Sequence, residues 1–461
     1  MKIALIQCPC MPLPYPPLIG LAQLKSFLEI IGHEVFIFDL NIEFFHHVEF
    51  TEKEKWASPD KEPLIELAKV IASKYSNLIN YYVEEILNTQ SKIIGFSIWN
   101  SNMFFSLRVA REIKRKVKDR IIIFGGPECF PLYSGKFLIQ DEAVDIVVYG
   151  EGEETLKEIV SSLDKSEKVK FTEGAIIKKD SRIIDCGPRQ PIDNLDALPF
   201  PDFNGYPLDK YLTNKLPIFF NRGCPRVCRY CAPNLMLVYR WRSANSIFEE
   251  IKCQLERYPN KDGFDSCSPS LNSNLREISA LCNLILKDKI DFEWSGFTSI
   301  DPSLSLDLLR KMRRAGCFGL NFGIESGSQK IINRMRKGFK IKDAARILQD
   351  AHNAGIETTV NFMIGFPGET EEDFQQTLNF ISQNWQYISS IGSMSSCWIE
   401  PYTYIFDHPE EFDIITGSNE HNWYSRDGKN TPEIRKEREK RFQDFISSIG
   451  KVKTFPKIVL T

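Results

Sequence analysis

Short runs of uninterrupted Ile, Val and Phe alternate with amphipathic helical patterns through residues 1–160, and this alternation limits the fold more than any other feature. Ile3–Gln7, Val35–Phe38, Ile93–Ile98, Ile121–Phe124 and Val144–Tyr149 read as strands. Leu18, Leu21, Leu24, Phe27, Leu28 and Ile31 fall at helical spacing, and Gly32 is placed to stop that helix. Met103–Val117 carries a second apolar stripe, and residues 42–90 form a longer, partly helical insertion. Strands with no polar alternate positions must be covered on both faces, which is the property of a parallel sheet between helical layers. The expected fold is therefore α/β, opening with a doubly wound, Rossmann-like domain.

Ligands of such sheets bind outside the carboxyl ends of the strands. Four of those ends are unusual in this chain. They carry Cys8 and Pro12 after the first strand, Trp99, Asn100 and Ser101 after the third, Gly125, Gly126, Pro127 and Glu128 after the fourth, and Gly150, Glu151 and Gly152 after the fifth. Glycines at such ends let a ligand approach the backbone closely. Four loops of this kind on one edge favour a large bound ligand. A nicotinamide cofactor is disfavoured, because the first loop lacks G-x-G-x-x-G and Asp39 alone is weak evidence.

Lys and Arg total 58 against 61 Asp and Glu, a net charge of −3, so nothing suggests a general polyanion-binding surface. No run reaches the ~20 apolar residues that span a bilayer. The first residues show no signal-peptide pattern, so a cytoplasmic location is expected. In that compartment the 12 cysteines are expected to be thiols rather than disulfides.

Gly174–Gly187 reads as a hairpin with its turn near Lys179–Ser181. Prolines 188, 191, 199 and 201 follow, marking residues 191–212 as a linker between a first domain (1–190) and a second (213–405). Strand and helix patterns then recur at 218–258, 263–288, 291–315, 318–335, 357–383 and from about 391. Six βα units predict a partial barrel with its chemistry at the carboxyl ends of the strands. The remainder, 406–461, is expected to be helical: Thr431-Pro432 starts a helix whose Arg435, Lys436, Arg438, Lys440 and Arg441, offset by acidic neighbours, read as a solvated face.

The first barrel strand, Ile218–Phe220, runs into Cys224, Cys228 and Cys231, spaced C-x-x-x-C-x-x-C. Three sulfurs on one loop can converge on one centre. Structural zinc takes four protein ligands, and no fourth Cys or His lies near. A four-iron four-sulfur cluster with one open iron fits the three better, with zinc or no metal as the alternatives.

With Tyr230 before its last cysteine, this motif resembles that of the radical S-adenosylmethionine (SAM) superfamily. Ser295–Phe297, Leu320–Ser328 and Asn361–Thr370 resemble the third, fourth and fifth strand signatures of that superfamily, in order. The front half is similar to the cobalamin-binding domain of one of its branches. The resemblance implies a 4Fe-4S cluster on Cys224, Cys228 and Cys231, with SAM on its open iron. It implies that Glu325 accepts from the methionine ammonium, that Ser326 meets ribose or carboxylate, and that Tyr230, Gly365 and Pro367 lie at the adenine. Ser268 stands where an acidic residue is expected. Cobalamin would lie on the front-domain loops, although D-x-H-x-x-G is absent.

The implied activity is methyl transfer to an unactivated carbon of a natural-product or peptide substrate through a 5′-deoxyadenosyl radical. The alternatives are rearrangement, cyclisation or oxidation on the same scaffold and, more remotely, a non-catalytic zinc-binding protein. A small-molecule or peptide substrate and an electron donor such as flavodoxin or ferredoxin are the implied partners. No membrane or nucleic-acid partner is expected from the apolar run lengths and net charge, and a methylthiotransferase is disfavoured because the tail shows no clear extra basic RNA-binding domain.

Overall fold

The computed structural model describes residues 1–9, 16–56, 61–165, 171–179, 182–232, 238–417 and 420–450, with backbone alone at 61–63. It divides into a unit spanning Met1–Pro217 and a second that begins at Ile218.

The first unit is built on β1 (Lys2–Gln7), β2 (Glu34–Asp39), β3 (Ile93–Ser97), β4 (Ile121–Gly125), β5 (Ile146–Val148), β6 (Ala175–Lys179) and β7 (Arg182–Asp185), in the order β2-β1-β3-β4-β5-β6-β7. The first five strands pair in parallel, and the β6–β7 hairpin adds two antiparallel strands at one edge. The expected turn at 180–181 lies outside the described residues. In β1, β3 and β5 both faces are almost wholly buried, which explains their lack of polar alternation. The strand order reverses between β1 and β3, and the carboxyl ends of the strands at such a switch point form the ligand crevice of doubly wound sheets. The insertion is four helices, Leu40–His47, Phe50–Trp56, Lys61–Lys74 and Ser76–Asn88, and it buries Trp56, Phe44 and Phe45 in the same core as the sheet.

The expected linker, residues 191–212, is instead bonded to the first unit. Tyr211 donates to Asp39 at 2.6 Å, Tyr206 donates to the Leu18 carbonyl at 2.8 Å, and Lys25 pairs with Asp202 at 2.8 Å. Proline density accounts for the extended backbone, but the aromatic and acidic residues between the prolines dock it.

A second sheet is built on β8 (Lys215–Ile218), which runs across the division at 217/218, and on β11 (Gly263–Ser266), β12 (Glu293–Thr298), β13 (Cys317–Glu325), β14 (Glu357–Ile364) and β15 (Ser390–Ser396) of the second unit, in the order β15-β14-β13-β12-β11-β8. A small antiparallel ladder, β9 (Asn221–Arg222) with β10 (Arg240–Trp241), follows β8. A helix follows each of β11 to β14, and the connections give the parallel βα arrangement of a partial barrel. Trp294, Leu320, Phe322, Ile324, Val360 and Phe362 are buried on one face, while the alternate residues of the same strands remain partly open. β8 stops short of the expected Phe220, because the amides of Phe220 and Asn221 bond to the Ser268 hydroxyl (2.8 and 3.3 Å) instead of continuing a ladder.

The tail holds β16 (Ile414–Ile415) with β17 (Tyr424–Ser425) and a helix over Pro432–Ser448, capped by the Thr431 hydroxyl. This helix departs from the expected solvated face. Arg435 and Arg438 are buried with Phe442 and Ile446 along one stripe, whereas Lys436 and Lys440 are exposed. Counting charges cannot show that two of the basic side chains share a stripe with the apolar residues. No helix among the described residues is long and apolar enough to cross a membrane.

Candidate active site

The cysteine loop is tied down at several points. Ser268 accepts from the two amides that lead into it, Asn221 donates to the Gly223 carbonyl at 2.7 Å, and the Arg229 amide donates to the Met335 carbonyl at 3.0 Å. Arg229 lies 4.9 Å from the Tyr404 ring and 5.4 Å from that of Phe412, and its carbonyl accepts from the Ile405 amide. Cys224, Cys228 and Cys231 are all partly exposed free thiols. Burial pushes the Cys231 thiol up to about 12, with the neighbouring Cys228 and Cys224 adding to it, and burial raises Cys228 in the same direction. The three sulfurs thus lie in one another's field.

Among the described residues no three His, Cys, Asp or Glu form a group suited to a single metal ion. One zinc would need sulfurs only about 4 Å apart at Zn–S bonds of ~2.3 Å. A cluster offers a separate iron to each thiolate and tolerates wider spacing. The donor set, three thiols with no fourth ligand among the described residues, fits the cluster.

Glu325 ends β13 with φ 71°, a conformation uncommon outside glycine. Its Oε1 accepts from Tyr230 at 3.1 Å and from Lys337 at 3.0 Å, and Lys337 also reaches the Tyr230 hydroxyl at 3.1 Å. Its Oε2 takes no hydrogen bond among the described residues. Gly323 makes room for this group: a Cβ there would lie 2.6 Å from Glu325 Oε1 and 3.3 Å from Lys337 Nζ. Lys337 also lowers the thiol pKa of Cys228 and Cys231 against burial. No motif points to Lys337, because it lies beyond the Gln329–Met335 helix, where Arg336 turns the chain with φ 63°.

Four of the expected contact residues are buried and already have partners within the protein. Ser268 is fully buried and spends its hydroxyl on the cysteine loop. Ser326 is also fully buried, bonded to Thr377 at 3.2 Å and accepting the Ser328 amide at 3.1 Å. Gly365 is covered by the tail: a Cβ there would lie 2.3 Å from Arg435 Cγ. Pro367 beside it is buried. The Gly365 amide donates to Glu369 at 2.7 Å, and Arg438 pairs with the same carboxylate at 3.1 Å, with side-chain exposures of 5% for the arginine and 1% for the glutamate. Burial raises Glu369 to about 7 despite the Arg438 guanidinium. Arg435 lies 3.9 Å from the Trp423 ring and donates to the carbonyls of His421 and Trp423, both at 2.9 Å. Glu439 accepts from the Ser396 amide at the end of β15. The tail helix therefore clasps the ends of β14 and β15.

In the first unit the candidate residues follow β1, β3, β4 and β5, all at one edge of the sheet. Pro12 lies outside the described residues. Cys8 is fully buried in the core, its thiol raised to about 12 by burial. Ser101 is 7% exposed and lies inside the turn. Trp99, Asn100, Gly125, Glu128, Glu151 and Gly152 are partly exposed, and Gly126, Pro127 and Gly150 are exposed. Gly126 has φ 111°, and a Cβ there would meet the Ile98 carbonyl oxygen at 2.7 Å. Glu128 accepts from Ser134, and Glu151 accepts from the Ile192 amide at 2.8 Å. Asn102, which belongs to no motif, orders the rim by accepting from the Trp99 amide and donating to the carbonyls of Cys8 and Ser97. Gln7 Oε1 and Trp99 Nε1 are buried without partners among the described residues. Two orphaned polar atoms at the switch point and an open Gly150, with nothing within 4 Å of its Cβ position, fit a bound polar cofactor. Asp39 does not, since Tyr211 and the Ile42 amide occupy it.

This geometry defines a chain with a doubly wound unit followed in sequence by a cysteine-loop βα unit, and comparison with known proteins agrees. Residues 218–381 match the Radical SAM superfamily model and residues 69–160 match the B12 binding domain model, so the chain combines a B12-binding domain with a radical SAM domain. An uncharacterized methyltransferase of Pyrococcus horikoshii is 28% identical over 294 residues, 62% of this chain and 63% of that protein. The anaerobic magnesium-protoporphyrin IX monomethyl ester cyclase of Synechocystis is 27% identical over 301 residues, 63% of this chain and 58% of the cyclase. The chain thus spans under two thirds of the length of these curated relatives. Among solved structures, the radical SAM methyltransferase TsrM from Kitasatospora setae aligns with TM-score 0.67 and 16% identity over 95% of this chain and 82% of that one. The cobalamin-dependent enzyme OxsB aligns with TM-score 0.66 and 16% identity over 89% of this chain and 56% of that one. At that identity the likeness establishes the fold.

Proposed function

We propose that this protein is a cobalamin-dependent radical SAM enzyme that transfers a methyl group to an unactivated carbon of a small-molecule or peptide substrate. The observation that carries the proposal is the braced three-cysteine loop beside a carboxylate, Glu325, that keeps one oxygen free. When bound, the cluster and cobalamin would supply the electron for SAM cleavage to a 5′-deoxyadenosyl radical and the methyl group to be transferred. Cys224, Cys228 and Cys231 would hold the cluster, and Glu325 Oε2 would accept from the methionine ammonium. Lys337 and Tyr230 fix the carboxylate through its other oxygen, so the free oxygen is already oriented when the ligand arrives. Trp99, Asn100, Gly125–Glu128 and Gly150–Gly152 would form the cobalamin rim. Methyl transfer is favoured by the relatives named as methyltransferases, and a cyclisation by the ester cyclases. An external one-electron donor of the flavodoxin or ferredoxin type, acting in the cytoplasm, completes the proposal.

Anaerobic reconstitution with iron and sulfide tests it. The parent is expected to gain charge-transfer absorbance and Cys231→Ala to lose most of it. Glu325→Gln is expected to keep the absorbance and weaken SAM binding at least about tenfold, as loss of a charge-assisted hydrogen bond of roughly 1.5–3 kcal/mol requires. Turnover products one methyl group heavier than substrate support transfer, and an unchanged carbon count favours cyclisation or rearrangement.

A further inference from the structure

The face of the second unit's sheet opposite its buried apolar side carries the inference. In closed βα barrels the interior is packed with layers of Val, Ile and Leu. Here the residues of that face, matched by register, are Asp265 on β11, Ser295 and Phe297 on β12, Gly319, Asn321 and Gly323 on β13, and Thr359 and Asn361 on β14. Hydrogen bonds confirm that they share a face. Ser295 donates to Asp265 Oδ1 at 2.5 Å, Ser393 on β15 donates to Asn361 at 3.1 Å, and Asn361 donates to Asn321 Oδ1 at 2.7 Å. Asp265, Ser295, Asn321 and Asn361 are all partly exposed, and Phe297 is 51% exposed although it lies within a strand.

Two groups on this face have unused capacity. Asp265 has no cationic partner among the described residues, and its Oδ2 takes no hydrogen bond there. Asn321 accepts from Asn361, but its own amide N–H groups donate to nothing among the described residues. Phe297 pairs with Asn321 in the register and lies two residues along β12 from Ser295, the partner of Asp265. A partly buried carboxylate without a cation, a free amide donor and an open aromatic ring on three adjacent strands make a recognition surface.

We propose that this surface binds the substrate through a primary ammonium on Asp265 and a carbonyl on Asn321, with an apolar group against Phe297. The substrate class is thus an amino acid or a peptide end, not a tetrapyrrole. The inference rests on the enzymatic reading above but is tested apart from it.

Calorimetric titration of the full chain with L-phenylalaninamide, N-acetyl-L-phenylalaninamide and protoporphyrin IX gives the test. Phenylalaninamide is expected to bind, and its N-acetyl derivative at least about tenfold more weakly, since acetylation removes the charge that meets Asp265. Asp265→Asn and Asn321→Ser are each expected to weaken phenylalaninamide about tenfold, while dithionite-driven SAM cleavage without substrate stays at the parent rate. No binding of phenylalaninamide, equal binding of the acetylated form, or preferential binding of protoporphyrin IX unaffected by Asp265→Asn would each overturn the proposal. Loss of SAM cleavage in the parent itself would overturn the enzymatic reading and leave the calorimetric result standing.

Discussion

Arg438→Ala should be among the most damaging single changes in the tail, and its effect can be worked from the structure. Arg438 and Glu369 are 5% and 1% exposed and lie 3.1 Å apart, and the same carboxylate holds the Gly365 amide at 2.7 Å. Removing one member of a buried pair leaves the other unpaired, to be buried as a lone charge or neutralised by taking up a proton, at a cost of roughly 3–5 kcal/mol. In a unit of this size each kcal/mol shifts Tm by about 2–4 °C, so a fall on the order of 10 °C is expected in differential scanning calorimetry. The loss should depend on pH. Burial places the folded Glu369 near 7, above the ordinary 4.5, so its stabilising contribution is complete below pH 4.5 and is lost as pH rises through about 7. Without Arg438 the folded value moves higher still, and the gap between variant and parent should widen as the medium turns from mildly acidic to alkaline. The double variant Glu369→Gln with Arg438→Met removes both charges and should recover at least half of the lost Tm. A variant within about 2 °C of the parent, equivalent to roughly 1 kcal/mol or less, or a gap that narrows at alkaline pH, would refute the reasoning.

Three further changes follow from the same geometry. Ser268→Ala strands two buried amides at the mouth of the cysteine loop and should cost roughly 1–3 kcal/mol, read by denaturant midpoint, together with faster loss of reconstituted cluster absorbance. Tyr211→Phe removes a donor from Asp39, whose folded pKa burial has already raised to about 6; since that contribution to stability is lost as pH rises through about 6, the variant should be weakened in mildly alkaline buffer and close to the parent in acid, by thermal melts. Gly126→Ala places a Cβ 2.7 Å from the Ile98 oxygen at φ 111°. It should cost about 2 kcal/mol or more while reducing cobalamin co-purified from supplemented cells.

Much of the architecture was legible in the chain because strand runs such as Ile93–Ser97 are buried at every position, which only a doubly covered parallel sheet satisfies. The cysteine spacing was legible because it is local: the whole motif lies between Cys224 and Cys231. What could not be read depends on contacts between distant segments. Ser268 and Ser326 stand at motif positions, yet their hydroxyls are taken by backbone and core partners that no spacing reveals. Lys337 reaches Glu325 only because a short helix and a left-handed turn bring it back. Arg435 and Arg438 read as solvated because composition counts charges without their azimuth around the helix. The polar sheet face did leave a signal, in Asn321 and Asn361 at alternate positions of otherwise apolar strands, whose register only the fold supplies.

The clasp between the tail helix and the β14 loop also bears on the order of events during biosynthesis. Gly365 and Glu369 find their partners in Arg435 and Arg438, far later in translation, and the cysteine loop takes Tyr404 and Phe412 from the same late stretch. At ~5–20 residues per second the ribosome exposes the thiols roughly 10–35 seconds before Tyr404, the first of the residues that brace them, has emerged. The front unit can fold in that interval, whereas the metal-binding loop waits. Delivery of iron and sulfide to the nascent chain before Tyr404 and Phe412 emerge would meet an unbraced loop, so stable loading belongs after the bracing stretch has been made.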